Sequence, residues 1–142
     1  MTAPQPGDVY HFPDYVFPDG ETRDKFVVLL ALTRADDWVL ARTTSRQHGR
    51  PTDPPCYHGH PYSGFYLHRA DGVLRLPSWV PLDRFDPADA QEFERYVAES
   101  RVTRKGRLQI PLFIALLECC AQVEDLQRMQ EEAIRDVLGS LR

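Results

Sequence analysis

The chain has no long apolar run. Its longest, Phe26 to Leu32, is seven residues, far short of the roughly 20 that a membrane-spanning helix needs, so no membrane partner is expected. The opening Met1-Thr2-Ala3-Pro4-Gln5 has neither a basic stretch nor an apolar one. No secretory leader is expected, and a cytoplasmic location follows by default. Cysteine is scarce. Three cysteines do not complete a set of pairs, and Cys119 and Cys120 are adjacent in a helical pattern, which predicts reduced thiols in a reducing compartment. Net positive charge is missing as well: 17 basic against 21 acidic side chains give a formal net charge of -4. That excludes a global field drawing the chain to nucleic acid, so any RNA site must be a local basic patch. Internal repeats and low-complexity tracts are absent too.

What is present is ordinary for a globular domain. Apolar residues make up 42% and charged residues 27% of 142, enough for one domain that buries a core and carries an appendage. Twelve prolines are concentrated before residue 90, and few of them fit inside a helix or a central strand. The N-terminal two-thirds therefore reads as strands and loops and the rest as helix, an α+β chain.

Asp8 to Phe12 predicts a short strand broken by Pro13-Asp14, and Pro18-Asp19-Gly20 predicts a turn. Lys25 to Thr33 is continuously apolar, as a strand buried on both faces is. Ala35-Asp36-Asp37 turns the chain into Trp38 to Thr43, a β-hairpin. Residues 47–63 hold four prolines and three histidines, the composition of a long functional or mobile loop. Gly64 to Arg69 and Val73 to Leu76 predict a second hairpin around Ala70-Asp71-Gly72, and Trp79 to Leu82 a last strand. Asp86-Pro87 predicts a helix start, Asp as cap and Pro as first residue, with Phe93, Tyr96 and Val97 on one face. From Pro111, apolar residues recur at three and four to Leu138 as a long amphipathic tail, with a bend near Val123-Glu124-Asp125. Its apolar stripe must be covered by the body of the domain, by the earlier helix or by another chain.

Three constellations carry chemistry. Arg23 and Lys25 precede the buried strand, and Arg42, Thr43, Thr44 and Ser45 close the next one. If the two strands are antiparallel neighbours, cations and hydroxyls converge at one rim. Metal-free RNA cleavage needs such a group: a cation for the charge developing on phosphorus, a donor for the phosphate, and an acid or base for the 2′-hydroxyl. The plainer reading makes these loop charges and ordinary strand residues. Second, Cys56-Tyr57-His58-Gly59-His60 offers thiolate and imidazole, with His48 and His68 nearby, but no second cysteine pair completes a zinc set. No metal and no cofactor are expected. The loop is instead read as packing Tyr57, His58, His60, Tyr62, Phe65 and Tyr66 on the domain's mouth, where such rings stack unpaired bases. With Arg42, Arg46 and His48, the residues His58, His60 and Tyr62 form the expected substrate-binding set. Third, Arg101 to Arg107 holds four cations and reads as a solvated linker.

Gly7-Asp8-Val9, the acidic Asp19-Gly20 loop, Lys25-Phe26-Val27-Val28-Leu29-Leu30 and Thr43-Thr44-Ser45 together resemble the MazF/PemK-like toxins. Leu76-Pro77-Ser78-Trp79-Val80-Pro81-Leu82 is a weaker echo, and the resemblance covers roughly residues 6–98. It implies a small SH3-like antiparallel β-barrel with its first helix over residues 1–100, followed here by a helical extension over 101–142. It further implies a homodimeric, metal-independent endoribonuclease that cuts single-stranded RNA and is held by an antitoxin protein. Lys25 stands where the family carries its catalytic Arg, with Phe26 in place of Pro. Thr44, or Ser45 with a one-residue shift, stands at the phosphate-binding hydroxyl. Lys is a point charge where Arg is a planar fork, and Arg23, two residues earlier on the same side of the strand, is the alternative cation. The rival expectation is a non-catalytic SH3-like interaction module, favoured by the acidic balance, the missing Arg-Pro pair and the long tail.

Overall fold

A computed structural model describes residues 3–16 and 19–142. Met1 and Thr2, and Pro18 of the expected Pro18-Asp19-Gly20 turn, lie outside the described residues. The fold is mixed α+β. Strands β1 (Asp8–Val16), β2 (Thr22–Leu32), β3 (Asp37–Arg42), β7 (Asp86–Asp89) and β8 (Thr103–Arg107) form an antiparallel sheet in the order β7-β3-β2-β1-β8. A smaller sheet runs β4-β5-β6, from β4 (Cys56–Tyr57), β5 (Gly64–His68) and β6 (Ser78–Val80). The helices are α1 (Ala90–Ala98), α2 (Ile110–Cys120) and α3 (Arg128–Leu141). Among the described residues the sheets do not close into a barrel, and a single isolated bridge, Thr44 to Trp79, joins the chain just beyond β3 to the small sheet. No described helix is long and apolar enough to cross a membrane.

Strand β2 divides the core. Val28, Leu30 and Ala31 pack on one side with Val9, Phe65, Leu116, Leu117 and Ile134. Val27 and Leu29 pack on the other with Tyr10, Trp38, Leu40, Phe93 and Val102. A strand buried on both faces needs apolar residues at successive positions, which is why the seven-residue run lies here.

Several expectations are corrected. Pro13-Asp14 does not end β1; both residues sit in a bulge between Phe12 and Tyr15, where the ladder asks for no donor. The partner of β5 is Ser78–Val80, not Val73 to Leu76. Residues 70–72 form a short 3₁₀ turn instead, with the Gly72 and Leu74 amides both donating to the Arg69 carbonyl at 3.0 Å, and Leu74 drops into the core. Asp86-Pro87 opens the edge strand β7, where proline is tolerated. The helix cap is the later Asp89, which accepts from the Glu92 amide at 2.9 Å. The presumed linker at residues 101–107 supplies β8, paired with β1, so the main sheet draws on both sides of the expected boundary at residue 100.

The long helical tail is two helices broken at residues 121–127, with Arg142 pairing back to Glu118 at 2.6 Å. Phe113, Leu116, Ile134 and Leu138 share one core with Val9 and Val28. The apolar stripe is thus covered within the chain and gives no reason of its own for self-association.

Asp8 fastens β8 to the sheet. It is fully buried and takes Arg107 Nε at 2.9 Å, Arg104 Nε at 3.3 Å and the Gln5 amide at 2.9 Å. The guanidinium-bearing side chains are 41% and 43% exposed, so they rehydrate if Asp8 is lost, whereas the carboxylate cannot. The Arg104→Ala/Arg107→Ala double variant should therefore lose about 3 kcal/mol in urea unfolding, more than Asp8→Ala. Equal losses would refute this asymmetry.

Candidate functional site

The antiparallel register of β2 and β3 sets Val27 opposite Arg42. The chain beyond Arg42 therefore runs beside Lys25 at the exposed start of β2. Thr43 is buried, its hydroxyl donating to the Phe26 carbonyl at 2.8 Å. Lys25 Nζ donates to the Thr43 carbonyl at 3.2 Å. Thr44 exchanges backbone hydrogen bonds with Trp79 (2.9 and 2.8 Å), and its Oγ1 accepts from the Arg46 amide at 3.1 Å. Lys25 and Thr44 form the ridge between two adjoining clefts. One, of about 510 Å³, is lined by Lys25, Thr43, Thr44, Ser45, Arg75 and Ser78 among others. The other, of about 340 Å³, is lined by Arg23, Lys25, Arg42, Thr44, His48, Arg50, Tyr62 and Asp83 among others.

The candidate catalytic residues Lys25, Arg23, Thr44 and Ser45 are thus brought to one rim, together with Arg42, His48 and Tyr62 from the substrate-binding set. Arg46 is exposed and lines neither cleft, but its charge acts on Lys25. His58 and His60 line neither cleft: His58 lies beside Cys56 and Cys119, and the His60 carbonyl accepts from Tyr57 at 3.4 Å. A further cleft, about 720 Å³ between β1, β7 and α1, is lined by none of the expected site residues.

Electrostatically the rim is a cluster of cations with local counter-charges. Arg42 donates to Asp83 at 2.8 Å and to the Arg84 carbonyl at 3.3 Å; Arg23 pairs with Glu21 at 3.0 Å. Burial pushes the Lys25 ammonium below the ordinary lysine value, and Arg42, Arg23 and Arg46 add to the effect. A lysine so placed holds a strong positive potential at the ridge and releases its proton more readily. His48 packs against Tyr62 with ring centroids 4.9 Å apart and planes tilted by 34°, and both rings line the cleft that Lys25 also lines.

Two residues escaped the sequence reading. Arg50 is 5% exposed and pins the loop, donating to the Ser63 carbonyl at 2.8 Å and the Arg46 carbonyl at 3.1 Å while lying over Tyr62. A Cβ at Gly64 would meet Arg50 Cδ at 2.5 Å, so glycine there permits the close approach. Nothing local distinguishes Arg50 from a solvated loop charge. Arg75 reaches its cleft from the segment expected to be a strand.

The cysteine expectation is also corrected. Cys56 of β4 and Cys119 of α2 are disulfide-bonded, with Cα atoms 5.7 Å apart across 63 residues of sequence. The lone Cys120 is buried, which pushes its thiol well up. Adjacency of Cys119 and Cys120 concealed that the helix aims one inward and the other at the loop.

The chain matches no protein-family model and no curated protein.

Thiol counting checks the pairing. With disulfides left intact, native protein should react with no thiol reagent and unfolded protein with one equivalent, at Cys120. Reduction before unfolding should raise the count to three. Three equivalents without reduction would contradict the Cys56–Cys119 bond.

Proposed function

We propose that this chain is a divergent MazF/PemK-like toxin: an SH3-like barrel left open between its two sheets, which cleaves single-stranded RNA without a metal. The observation that carries the reading is the ridge, where one ammonium and one hydroxyl are shared by two clefts ringed with Arg23, Arg42, Arg50 and Arg75. A strand of RNA passing from one cleft to the other sets a phosphate on Lys25 and Thr44. Lys25 stabilises the charge that develops on phosphorus, Thr44 or Ser45 holds a non-bridging oxygen, and Arg23 lies behind as a second cation. His48 is the nearby group able to move the proton of a 2′-hydroxyl, and Tyr62 offers a face for a neighbouring base. The Thr44–Trp79 bridge supports the barrel reading, because it runs the main sheet into the small one. A cytoplasmic location, a homodimer and an antitoxin partner belong to the same proposal and rest on the resemblance.

A second reading, a non-catalytic interaction module, is favoured by one observation. Arg42 is already bound to Asp83 and the Arg84 carbonyl, as a structural peg is.

Incubation with mixed single-stranded RNA in EDTA separates the two. Cleavage is expected to persist and to fall about 10²- to 10³-fold in Lys25→Ala, the usual loss for one charge-stabilising group. Arg23→Ala should cost less, its side chain being 53% exposed. RNA left intact by the wild type, or cut equally by Lys25→Ala, would refute the nuclease reading.

The pH profile gives a further check. Only the ammonium stabilises phosphate charge, so the rate should fall as pH rises through the Lys25 pKa. That limb should lie below the ordinary 10.5. Lys25→Arg should move it to higher pH, since guanidinium stays charged.

A further inference from the structure

We propose that Cys56, Cys119 and His58 form a redox-gated site for a soft divalent cation of the Zn²⁺ class, in which metal and disulfide are alternative clamps of one loop. The site lies apart from the two clefts and goes beyond the nuclease reading. Its donors come from two elements far apart in sequence: Cys56 from β4, His58 two residues on, and Cys119 from α2. In extended chain, residues two apart point the same way, so Cys56 and His58 both face the helix.

The geometry fits a tetrahedral centre. His58 Nε2 lies 3.4 Å from Cys56 Sγ and 3.7 Å from Cys119 Sγ, and all three ligand atoms fall within 4.8 Å of one another. With Zn–S about 2.3 Å and Zn–N about 2.0–2.1 Å, a tetrahedron has N···S edges of about 3.5 Å and an S···S edge of about 3.8 Å. Two of the three edges are thus already in place, and the third opens when the sulfurs part. Cys119 is buried, Cys56 half-buried and His58 exposed, so a water can take the fourth position from the solvent side. Soft thiolates with an imidazole select zinc-class ions over Mg²⁺ or Ca²⁺.

The exchange balances. A dithiol reductant gives two electrons and two protons to the Cys56–Cys119 bond and itself closes to a disulfide. The cation then displaces both thiol protons and binds the two thiolates and the imidazole. Either state fastens the loop over 47–63 to α2, and that loop carries His48 and Tyr62 into the smaller cleft. The reduced, metal-free protein lacks the clamp.

The test uses the full chain and no RNA, so its result is independent of any nuclease activity. Protein reduced with a phosphine, desalted under argon and titrated with Co²⁺ should bind one equivalent. A thiolate-to-cobalt charge-transfer band should appear and then vanish on adding Zn²⁺. Protein with its disulfide intact should show no band. Cys56→Ser should abolish it. His58→Ala, at an exposed position that leaves folding intact, should weaken Co²⁺ binding by more than the roughly 10- to 100-fold that loss of an outer-sphere partner costs. Limited proteolysis within 47–55 should be fastest in the reduced, metal-free form. The proposal is overturned if reduced wild type gives no charge-transfer band, which leaves a structural disulfide alone, or if His58→Ala titrates like wild type.

Discussion

The fold depends on one strand being buried on both faces. Val27 through Ala31 of β2 are fully buried, and they serve both cores from the middle of the sheet, with β1 and β3 alternating between the same two cores on either side. A strand in that position cannot slip by one residue without moving each side chain into the wrong core, so its register is strongly fixed. Rigidity at its centre is passed to its ends. The exposed start of β2 holds Arg23 and Lys25 at a set distance from the end of β3, and the ridge between the clefts needs no contribution of its own to keep that spacing.

Around this rigid strand the second wall of the site is made of irregular chain. The loop over 47–63 has only the two-residue strand β4, yet it is tied at several points: Arg50 to two carbonyls, Trp79 Nε1 to the Pro51 carbonyl at 3.1 Å, the Tyr66 amide to the Pro55 carbonyl at 2.9 Å, and Cys56 to Cys119. Four prolines reduce the freedom that ordering it must remove. A long loop held mostly by side-chain and covalent ties, with a ladder only at Cys56–Tyr57, can carry binding groups while remaining open to control at a single tie.

What was legible in the sequence follows from whether the signal is local. The doubly buried strand, the β2–β3 hairpin and the meeting of Lys25 with Thr43-Thr44-Ser45 are readable because one apolar run and one short turn determine them. Strand β8 was not, since Thr103-Arg104-Lys105-Gly106-Arg107 has the composition of a linker. It becomes a strand through Asp8, a residue 99 positions from Arg107 that is buried at the other side of the ladder. Cys119 was hidden for the same reason, its partner lying in a loop remote in sequence. Asp86 against Asp89 is a subtler failure: both have cap chemistry, and β3 pairing decides that the first stays extended.

The acidic balance of the chain bears less on RNA binding than the total suggests. Charges on a solvated surface act over about 8 Å at physiological ionic strength, so a strand of RNA at the ridge feels the groups lining the clefts and little else. Much of the acidic excess lies on the helices, partly neutralised there: Glu131 by Arg135 at 3.0 Å and Glu132 by Arg128 at 3.3 Å. At the rim itself Arg23, Lys25, Arg42, Arg50 and Arg75 face Asp24 and Asp83, five cations against two carboxylates. Asp24 is in turn hydrogen-bonded to the His11 ring. Local arrangement, not net charge, therefore sets the sign of the field where a phosphate would sit.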